Sequence, residues 1–164
     1  MLRDRPKSRI LTKRLESFTK RELPMPTANV LLVDDEIPFV ETVTRRLSKR
    51  GLHIVTALSG EEALQRLEKD RSIEIVILDV KMPGMGGLEI LAEVKREYPL
   101  VEVIILTGHP TVESAIEGMK LGVFDYLIKP CDIDQLISKV EEAASIKRRH
   151  KNNTPESYME KITT

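Results

Sequence analysis

The sequence predicts a doubly wound α/β domain of three layers, with a parallel five-stranded sheet between two layers of helices. Short, continuously apolar segments alternate five times with amphipathic segments that have helical spacing. Strands that are apolar along their whole length are typical of a parallel sheet that is buried on both faces. Because crossovers between parallel strands are right-handed, helices are expected on both sides of the sheet.

The first two strand–helix pairs lie between residues 29 and 70. The apolar run NVLLVDD predicts a strand that ends in acids, and helical spacing follows it at Phe39, Val43 and Leu47. Gly51 suits the position just past the end of that helix. LHIVTA predicts the second strand, and Ser59 and Glu62 occupy capping-box positions at the start of the second helix.

The other three pairs repeat the pattern as far as residue 150. IEIVILDV predicts the third strand, and after the loop KMPGMGG the third helix, LEILAEVKREY, is stopped by Pro99. VEVIILTG predicts the fourth strand, and TVESAIEGMKLG the fourth helix with Gly122 beyond its end. VFDYLIKP predicts the fifth strand, and DIDQLISKVEEAASIKRRH the fifth helix with Asp132 as its N-cap.

The formal net charge of zero hides an uneven distribution. Residues 1–27 carry eight Lys and Arg against three Asp and Glu, and residues 143–164 carry five against two, whereas residues 28–142 carry thirteen against twenty-one. We therefore expect a basic N-terminal extension at 1–27, partly helical or disordered, a folded domain at 28–146, and a polar, basic tail at 147–164.

Composition also limits the cellular compartments in which the protein is expected to act. The single cysteine, Cys131, excludes an internal disulfide and fits a reducing compartment. No apolar stretch is long enough to span a membrane, and the charged N-terminus lacks the apolar core of a secretory signal. We expect a cytoplasmic protein.

Chemically active side chains follow the predicted strands where each strand ends. Asp34 and Asp35 end the first strand, Asp79 the third, Thr107 the fourth and Lys129 the fifth. Ligands of open parallel α/β sheets bind beyond the carboxyl ends of the strands, so we expect all five residues at one edge. Three carboxylates there would repel one another unless a cation joined them, and oxygen ligands with room for water and phosphate suit Mg²⁺. Together these residues indicate a phosphoryl-transfer site, where a carboxylate can form an aspartyl-phosphate.

Four motifs together resemble the receiver domain of two-component response regulators. They are VDDE after the first strand, ILDVKMPGMGG around Asp79, LTGHP after the fourth strand and FDYLIKP before the last helix. The resemblance covers about residues 28–146 and implies a flavodoxin-like topology with strand order 2-1-3-4-5, which would place Asp35 beside Asp79. The stretch from the fourth strand to the fifth most resembles receivers that precede the ATPase and DNA-binding domains of enhancer-binding transcription regulators.

The resemblance implies a metal-dependent phosphorylation site. Asp79 would be the phosphoacceptor. Asp35, Asp79 and the backbone carbonyl of Lys81 would ligate Mg²⁺, with Mn²⁺ as an alternative, and Asp34 would act through a metal-bound water. The phosphoryl group would come from a sensor histidine kinase or a histidine phosphotransfer protein.

The resemblance also implies a switch. Lys129 would pair with the phosphoryl oxygens, and the Lys129–Pro130 peptide would be cis. Thr107 would move toward the phosphate and Tyr126 would swing inward behind it, which would remodel the surface formed by the fourth helix, fifth strand and fifth helix. The output would be an unidentified downstream protein, or a homodimer through that surface.

Three positions depart from or vary within the family pattern. Gly86 stands where receivers commonly carry an acid, so the third helix lacks that cap, with an expected effect on stability of about 1 kcal/mol. Lys81 and His109, two positions after Asp79 and Thr107, lie where family members vary their dephosphorylation rate.

Other interpretations stay open at this point. The acids at 34–36 could only cap a helix, and Tyr126 could be an ordinary half-buried strand residue. The chain could be the receiver portion of a DNA-binding transcription regulator, or bind DNA weakly through its basic tails, although residues 147–164 are too few for a helix-turn-helix domain. A metal-dependent phosphatase would need a general acid near Asp79, where Val80 and Lys81 stand. We therefore expect a regulator that assists only its own phosphorylation and dephosphorylation, and no enzyme.

Overall fold

The computed structural model describes residues 27–152. Most of the N-terminal extension expected at 1–27 and the tail beyond residue 152 lie outside the described residues. Five strands and five helices alternate along the chain, as β1 (Asn29–Val33), α1 (Ile37–Lys49), β2 (His53–Ala57), α2 (Gly60–Lys69), β3 (Ile75–Leu78), α3 (Gly87–Glu97), β4 (Glu102–Thr107), α4 (Val112–Lys120), β5 (Asp125–Ile128) and α5 (Ile133–Asn152). None of the helices in the described part of the chain is long and apolar enough to cross a membrane.

The sheet is parallel throughout and has the order β2-β1-β3-β4-β5, which confirms the expected topology. In its centre Val33 of β1 is in register with Leu78 of β3. The ladder continues one residue further, because the Asp79 amide donates to the Val33 carbonyl at 3.1 Å. The two residues that follow β1 and β3, Asp34 and Asp79, therefore leave the sheet side by side.

Both faces of the sheet are covered, which explains why the strands are continuously apolar. Alternate strand residues point to opposite faces: Val30 and Leu32 pack with α1 and α5, whereas Leu31 and Val33 pack with α2 and α3. Among the helices, α4 contributes least to either core, since Gly118 is its one buried residue. The two cores hold the sheet rigid beneath the loops at its carboxyl edge.

The predicted helix ends are largely confirmed. The Ser59 hydroxyl accepts a hydrogen bond from the Glu62 amide at 3.2 Å, as a capping box requires. The Glu62 carboxylate, however, accepts from the amide of Leu58 at 2.9 Å, one residue earlier than in the standard box. Asp132 precedes α5 and accepts from the Asp134 amide at 3.0 Å. The domain boundary at 146 stays a prediction, and α5 continues through it to Asn152.

Candidate functional site

Three carboxylates meet at the carboxyl edge of the sheet. One oxygen from each of Asp34, Asp35 and Asp79 lies within 4.8 Å of the others, so the set can hold a metal ion. Asp34 and Asp79 are only 1% and 3% exposed, whereas Asp35 is open to solvent. The pairing of β1 with β3 produces this arrangement, since each acid directly follows its strand or lies one residue beyond it.

The backbone holds both buried carboxylates in a fixed orientation. Asp34 Oδ1 accepts from the Glu36 amide at 2.9 Å, and Asp79 Oδ1 accepts from the Lys81 amide at 3.1 Å. Such bonds to the amide two residues ahead are typical of aspartates that begin turns. In each residue the other oxygen, Oδ2, remains for partners across the site.

Lys129 supplies the positive charge at this edge. Its Nζ lies 2.5 Å from Asp34 Oδ2, 3.4 Å from Asp79 Oδ2 and 3.7 Å from Glu36 Oε1. The ammonium also sits 4.0 Å from the centre of the Phe39 ring, on the apolar side of the site. In the sequence Phe39 only marks helical spacing, and nothing in that spacing indicates a contact with Lys129.

Burial and ion pairing act in opposite directions on the pKa values of Asp34 and Lys129. Burial raises the pKa of Asp34, and it outweighs the hydrogen bonds from Lys129 and the Glu36 amide, which lower that pKa. Burial alone would lower the pKa of Lys129, but the hydrogen bond and attraction to Asp34 outweigh it, so the pKa of Lys129 is raised. The lysine is therefore charged near neutral pH and is bound first to Asp34 and more loosely to Asp79.

The peptide between Lys129 and Pro130 is cis, which confirms the expectation from the sequence. The Lys129 amide donates to the Thr107 carbonyl at 2.8 Å, so the lysine is positioned by the β4–β5 ladder. Thr107 itself is fully buried, and its hydroxyl accepts from the His109 amide at 3.1 Å. Thr107 thus lies at the same edge as the acids and orders the loop that leads into α4.

Tyr126 is half-buried on β5 and is tied to α4. Its phenolic oxygen lies 2.7 Å from the hydroxyl of Ser114. Ser114 also forms a reciprocal cap with Thr111 at the start of α4: each side chain accepts from the other residue's amide. Sequence reasoning missed Ser114, although the pattern Thr-x-x-Ser before a helical segment is the signal that could have found it.

Two neighbouring glycines begin α3 beside Asp79, and their surroundings differ. Gly86 is the N-cap residue, has no side-chain cap and has open space around it, so the missing cap expected from the sequence is confirmed. A Cβ on Gly87 would instead lie 2.4 Å from the Asp79 carbonyl oxygen and 2.4 Å from Val80 Cα. The backbone at the start of α3 therefore packs directly against the backbone of Asp79.

A family model described as the response regulator receiver domain matches residues 30–141. The chain belongs to this family. The receiver is 37% identical over 116 residues to the DNA-binding transcriptional regulator NtrC of Escherichia coli (strain K12), an alignment that covers 71% of this chain and 24% of NtrC. It is also 37% identical over 115 residues to the transcriptional regulatory protein ZraR of Escherichia coli O157:H7, covering 70% and 26%.

Solved structures of receivers share the fold. A response regulator receiver domain protein from Clostridium thermocellum has a TM-score of 0.71 and 38% identity, covering 74% of this chain and 97% of that one. NtrX from Brucella abortus has a TM-score of 0.71 and 30% identity, covering 77% and 29%. This receiver thus spans about a quarter of the length of the curated relatives it matches, but nearly all of some solved receiver domains.

Proposed function

We propose that this chain is a two-component response regulator that accepts a phosphoryl group on Asp79 from a phosphohistidine. The observation that carries the proposal is the position of Asp79, a buried carboxylate with two further carboxylates within 4.8 Å and Lys129 at 3.4 Å. Buried carboxylates with charged neighbours are common at functional sites, and this arrangement suits a reaction with a charged group. The donor would be a sensor histidine kinase or a histidine phosphotransfer protein.

The donor set fits a divalent cation. Three carboxylates face one lysine, which leaves the cluster negative, and oxygen ligands with one solvent-open member suit Mg²⁺, or Mn²⁺ in its place. Asp35, Asp79 and the carbonyl of Lys81 would hold the ion, and Asp34 would reach it through a water. When bound, the ion would neutralise charge on the phosphoryl oxygens and on the acids around them.

The chain's own groups would then transfer and hold the phosphoryl group. A carboxylate oxygen of Asp79 forms the new bond to phosphorus while the bond from phosphorus to the donor histidine breaks, and the imidazole leaves with the electron pair of that bond. Lys129 Nζ, already 3.4 Å from Asp79 Oδ2, pairs with the phosphoryl oxygens. The buried hydroxyl of Thr107 donates to them after the loop to His109 adjusts.

The readout would be the surface of α4, β5 and α5. Four large apolar side chains are exposed on α4 and β5, namely Val112, Ile116, Met119 and Ile128. Exposed apolar residues that cluster on one face mark an interaction surface. Movement of Thr107 and Tyr126 would change this surface, and a downstream protein or a second copy of the receiver would bind it.

A second candidate is that the chain is the receiver portion of a DNA-binding transcription regulator. The names of the relatives favour it, since the chain matches about a quarter of NtrC, which is described as a DNA-binding transcriptional regulator. The chain would also act on DNA if its basic tails bound a duplex weakly, and salt-sensitive binding to a DNA duplex would support this. A cytoplasmic location, and a role as a regulator without enzymatic turnover of other substrates, are part of both candidates.

The test is phosphorylation of the full chain with a small phosphodonor such as acetyl phosphate, followed by mass spectrometry. We expect a Mg²⁺-dependent gain of one phosphoryl mass that Asp79→Asn abolishes and that Asp70→Asn retains, since Asp70 is a partly exposed acid at the end of α2, outside the carboxylate cluster. An equal gain in Asp79→Asn would refute the assignment. Sedimentation with beryllofluoride then separates the outputs: a dimer indicates self-association, and an unchanged monomer indicates a separate partner.

A further inference from the structure

A second cleft lies at the opposite edge of the sheet from the carboxylates. Its volume is about 340 Å³, and it lies between the loops that precede β3 and β4 and the last turns of α5. Its principal lining residues are Arg71, Ile73, Tyr98, Leu100, Lys147 and Lys151. Ile73 and Asp79 are six residues apart along an extended segment, which separates this cleft from the phosphorylation site by roughly 20 Å.

The wall formed by α5 lies beyond the residues that the family model matches. The match to the receiver family ends at residue 141, and both lysines belong to the part of α5 beyond it. That part is fixed to the domain by a two-point ion pair, in which Arg148 Nε and Nη2 donate to the two carboxylate oxygens of Glu74 at 3.1 Å each. Because Glu74 is only 8% exposed, the pair anchors α5 against the sheet and the cleft has a rigid wall.

The cleft is basic in a domain that is otherwise acidic. The Arg71 guanidinium lies 4.9 Å from the centre of the Tyr98 ring, which holds its planar donors at the rim. Burial lowers the pKa of Lys147; Lys151 and Arg148 lower it further, and Glu74 opposes them. Within the described residues, neither Arg71 nor Lys147 has a carboxylate within ion-pair distance. The one carboxylate of the lining, Glu97, lies 3.1 Å from Arg96.

The floor of the cleft is apolar. Ile73 and Val101 are buried beneath it, and Leu100 is 43% exposed, one of the few large apolar side chains of residues 27–152 outside the α4–β5 face that solvent reaches. A ligand with an apolar group would cover Leu100 and the Tyr98 ring. A small inorganic anion would leave Leu100 and the Tyr98 ring uncovered.

We propose that this cleft binds an acidic peptide segment of a partner protein, in which carboxylates pair with Arg71 and Lys147 and a large apolar side chain covers Leu100 and the Tyr98 ring. Arg71 and Lys147 have no carboxylate partner within ion-pair distance among the described residues, so both are available to pair with the acids of the peptide. The site uses the last turns of α5, away from the carboxyl edge of the sheet, and does not depend on phosphorylation of Asp79.

The test uses the full chain and a fluorescein-labelled peptide of sequence Ser-Glu-Leu-Glu-Leu-Ser, with binding followed by fluorescence anisotropy. Arg71→Gln and Lys147→Gln should each weaken binding about threefold, and the double variant about tenfold. Arg149→Gln is the matched control, because it removes a charge from the same exposed turn of α5 without touching the cleft. Asp79→Asn should bind the peptide as the native chain does, so failure of the proposed phosphorylation would leave this result intact.

Peptide and solution controls decide what occupies the cleft. Peptides with Gln for Glu, or Ser for Leu, should bind at least fivefold more weakly. Equal weakening by Arg149→Gln would refute a specific site, and so would no binding by the native chain. If inorganic phosphate displaces the peptide, and substitution of Leu100 does not change phosphate binding, the ligand of the cleft is a small anion and not a peptide. Self-association lost in Arg71→Gln would replace it by a second copy of the chain.

Discussion

The phenol of Tyr126 and the hydroxyl of Ser114 lie 2.7 Å apart, which joins β5 to the first turn of α4. The Ser114 oxygen already accepts from the Thr111 amide at 3.3 Å and lies 3.1 Å from the Thr111 carbonyl, to which it can donate. A hydroxyl has one donor and two acceptor sites, so Ser114 still has a site for Tyr126 whichever of the two oxygens donates. The orientation of the tyrosine is therefore linked to the cap of α4.

We predict measurable coupling between these two residues. Ser114→Ala and Tyr126→Phe should each reduce the free energy of unfolding, because each leaves its partner's hydrogen bond unmade. The double variant should lose less than the sum, by about 1 kcal/mol. Urea denaturation of the four proteins gives this coupling energy. A coupling near zero would mean that the contact does not restrain Tyr126, and Thr111→Ser serves as a control that keeps the cap.

Gly86→Asp should stabilise the domain. The position has open space around it and an ordinary extended backbone (φ −68°, ψ 155°), so an aspartate fits there without strain. Its carboxylate would accept from a free amide in the first turn of α3 and face the positive end of that helix. We expect a gain of about 1 kcal/mol in urea denaturation. Gly86→Ala is the comparison, since it adds a side chain without a cap and should gain less than Asp.

Gly87→Ala should do the opposite at the next position. The added methyl would meet backbone atoms of Asp79 and Val80 at 2.4 Å, which a side-chain rotation cannot relieve. We expect a loss of about 1–3 kcal/mol in stability, and slower phosphorylation because Asp79 shifts. Both can be measured on one sample by thermal denaturation and by mass gain with acetyl phosphate. Unchanged stability would mean that α3 can withdraw from Asp79 freely.

Mg²⁺ should stabilise the native chain through the carboxylate cluster. At a concentration about one hundred times the dissociation constant, the gain in unfolding free energy should be about 2.7 kcal/mol. Asp35→Asn should reduce this gain, whereas Asp70→Asn, outside the cluster, should not. Chelation of the ion should reverse it. An equal gain from sodium chloride at the same ionic strength would indicate general screening of the acids and no specific site.

The stabilising effect of Lys129 should disappear at alkaline pH. The pKa of Lys129 is raised above its ordinary value of 10.5 by its pairing with Asp34, so the native state keeps this proton longer than the unfolded state. Its contribution is therefore complete below pH 10.5 and falls as the pH rises through the higher native value. The difference in stability between the native chain and Lys129→Met should shrink above that pH. A difference that stays constant with pH would show that the charge of Lys129 is not what stabilises the native chain.

Much of the architecture is predictable because it follows from patterns along the chain. Apolar runs define the strands, and Ser59 and Asp132 mark helix starts by residue type. The meeting of Asp34 with Asp79 follows from strand order, since adjacent parallel strands end at one edge. Side-chain partners within the site are less predictable. That Lys129 binds Asp34 more closely than Asp79, and that Tyr126 bonds Ser114, depends on rotamers chosen by tertiary packing, which no spacing in the sequence records.

The limited burial of α4 has an energetic consequence. Its one buried residue is Gly118, where a Cβ would come within 3.0 Å of Ile105, while Val112 and Met119 are more than 70% exposed. Lifting or turning this helix would uncover little apolar surface, so its local opening costs less than that of any helix packed by leucines and valines. In hydrogen exchange, the amides of α4 should be the first helical amides of the domain to exchange. A small structural change at the carboxyl edge of the sheet is then enough to shift the conformational equilibrium of α4.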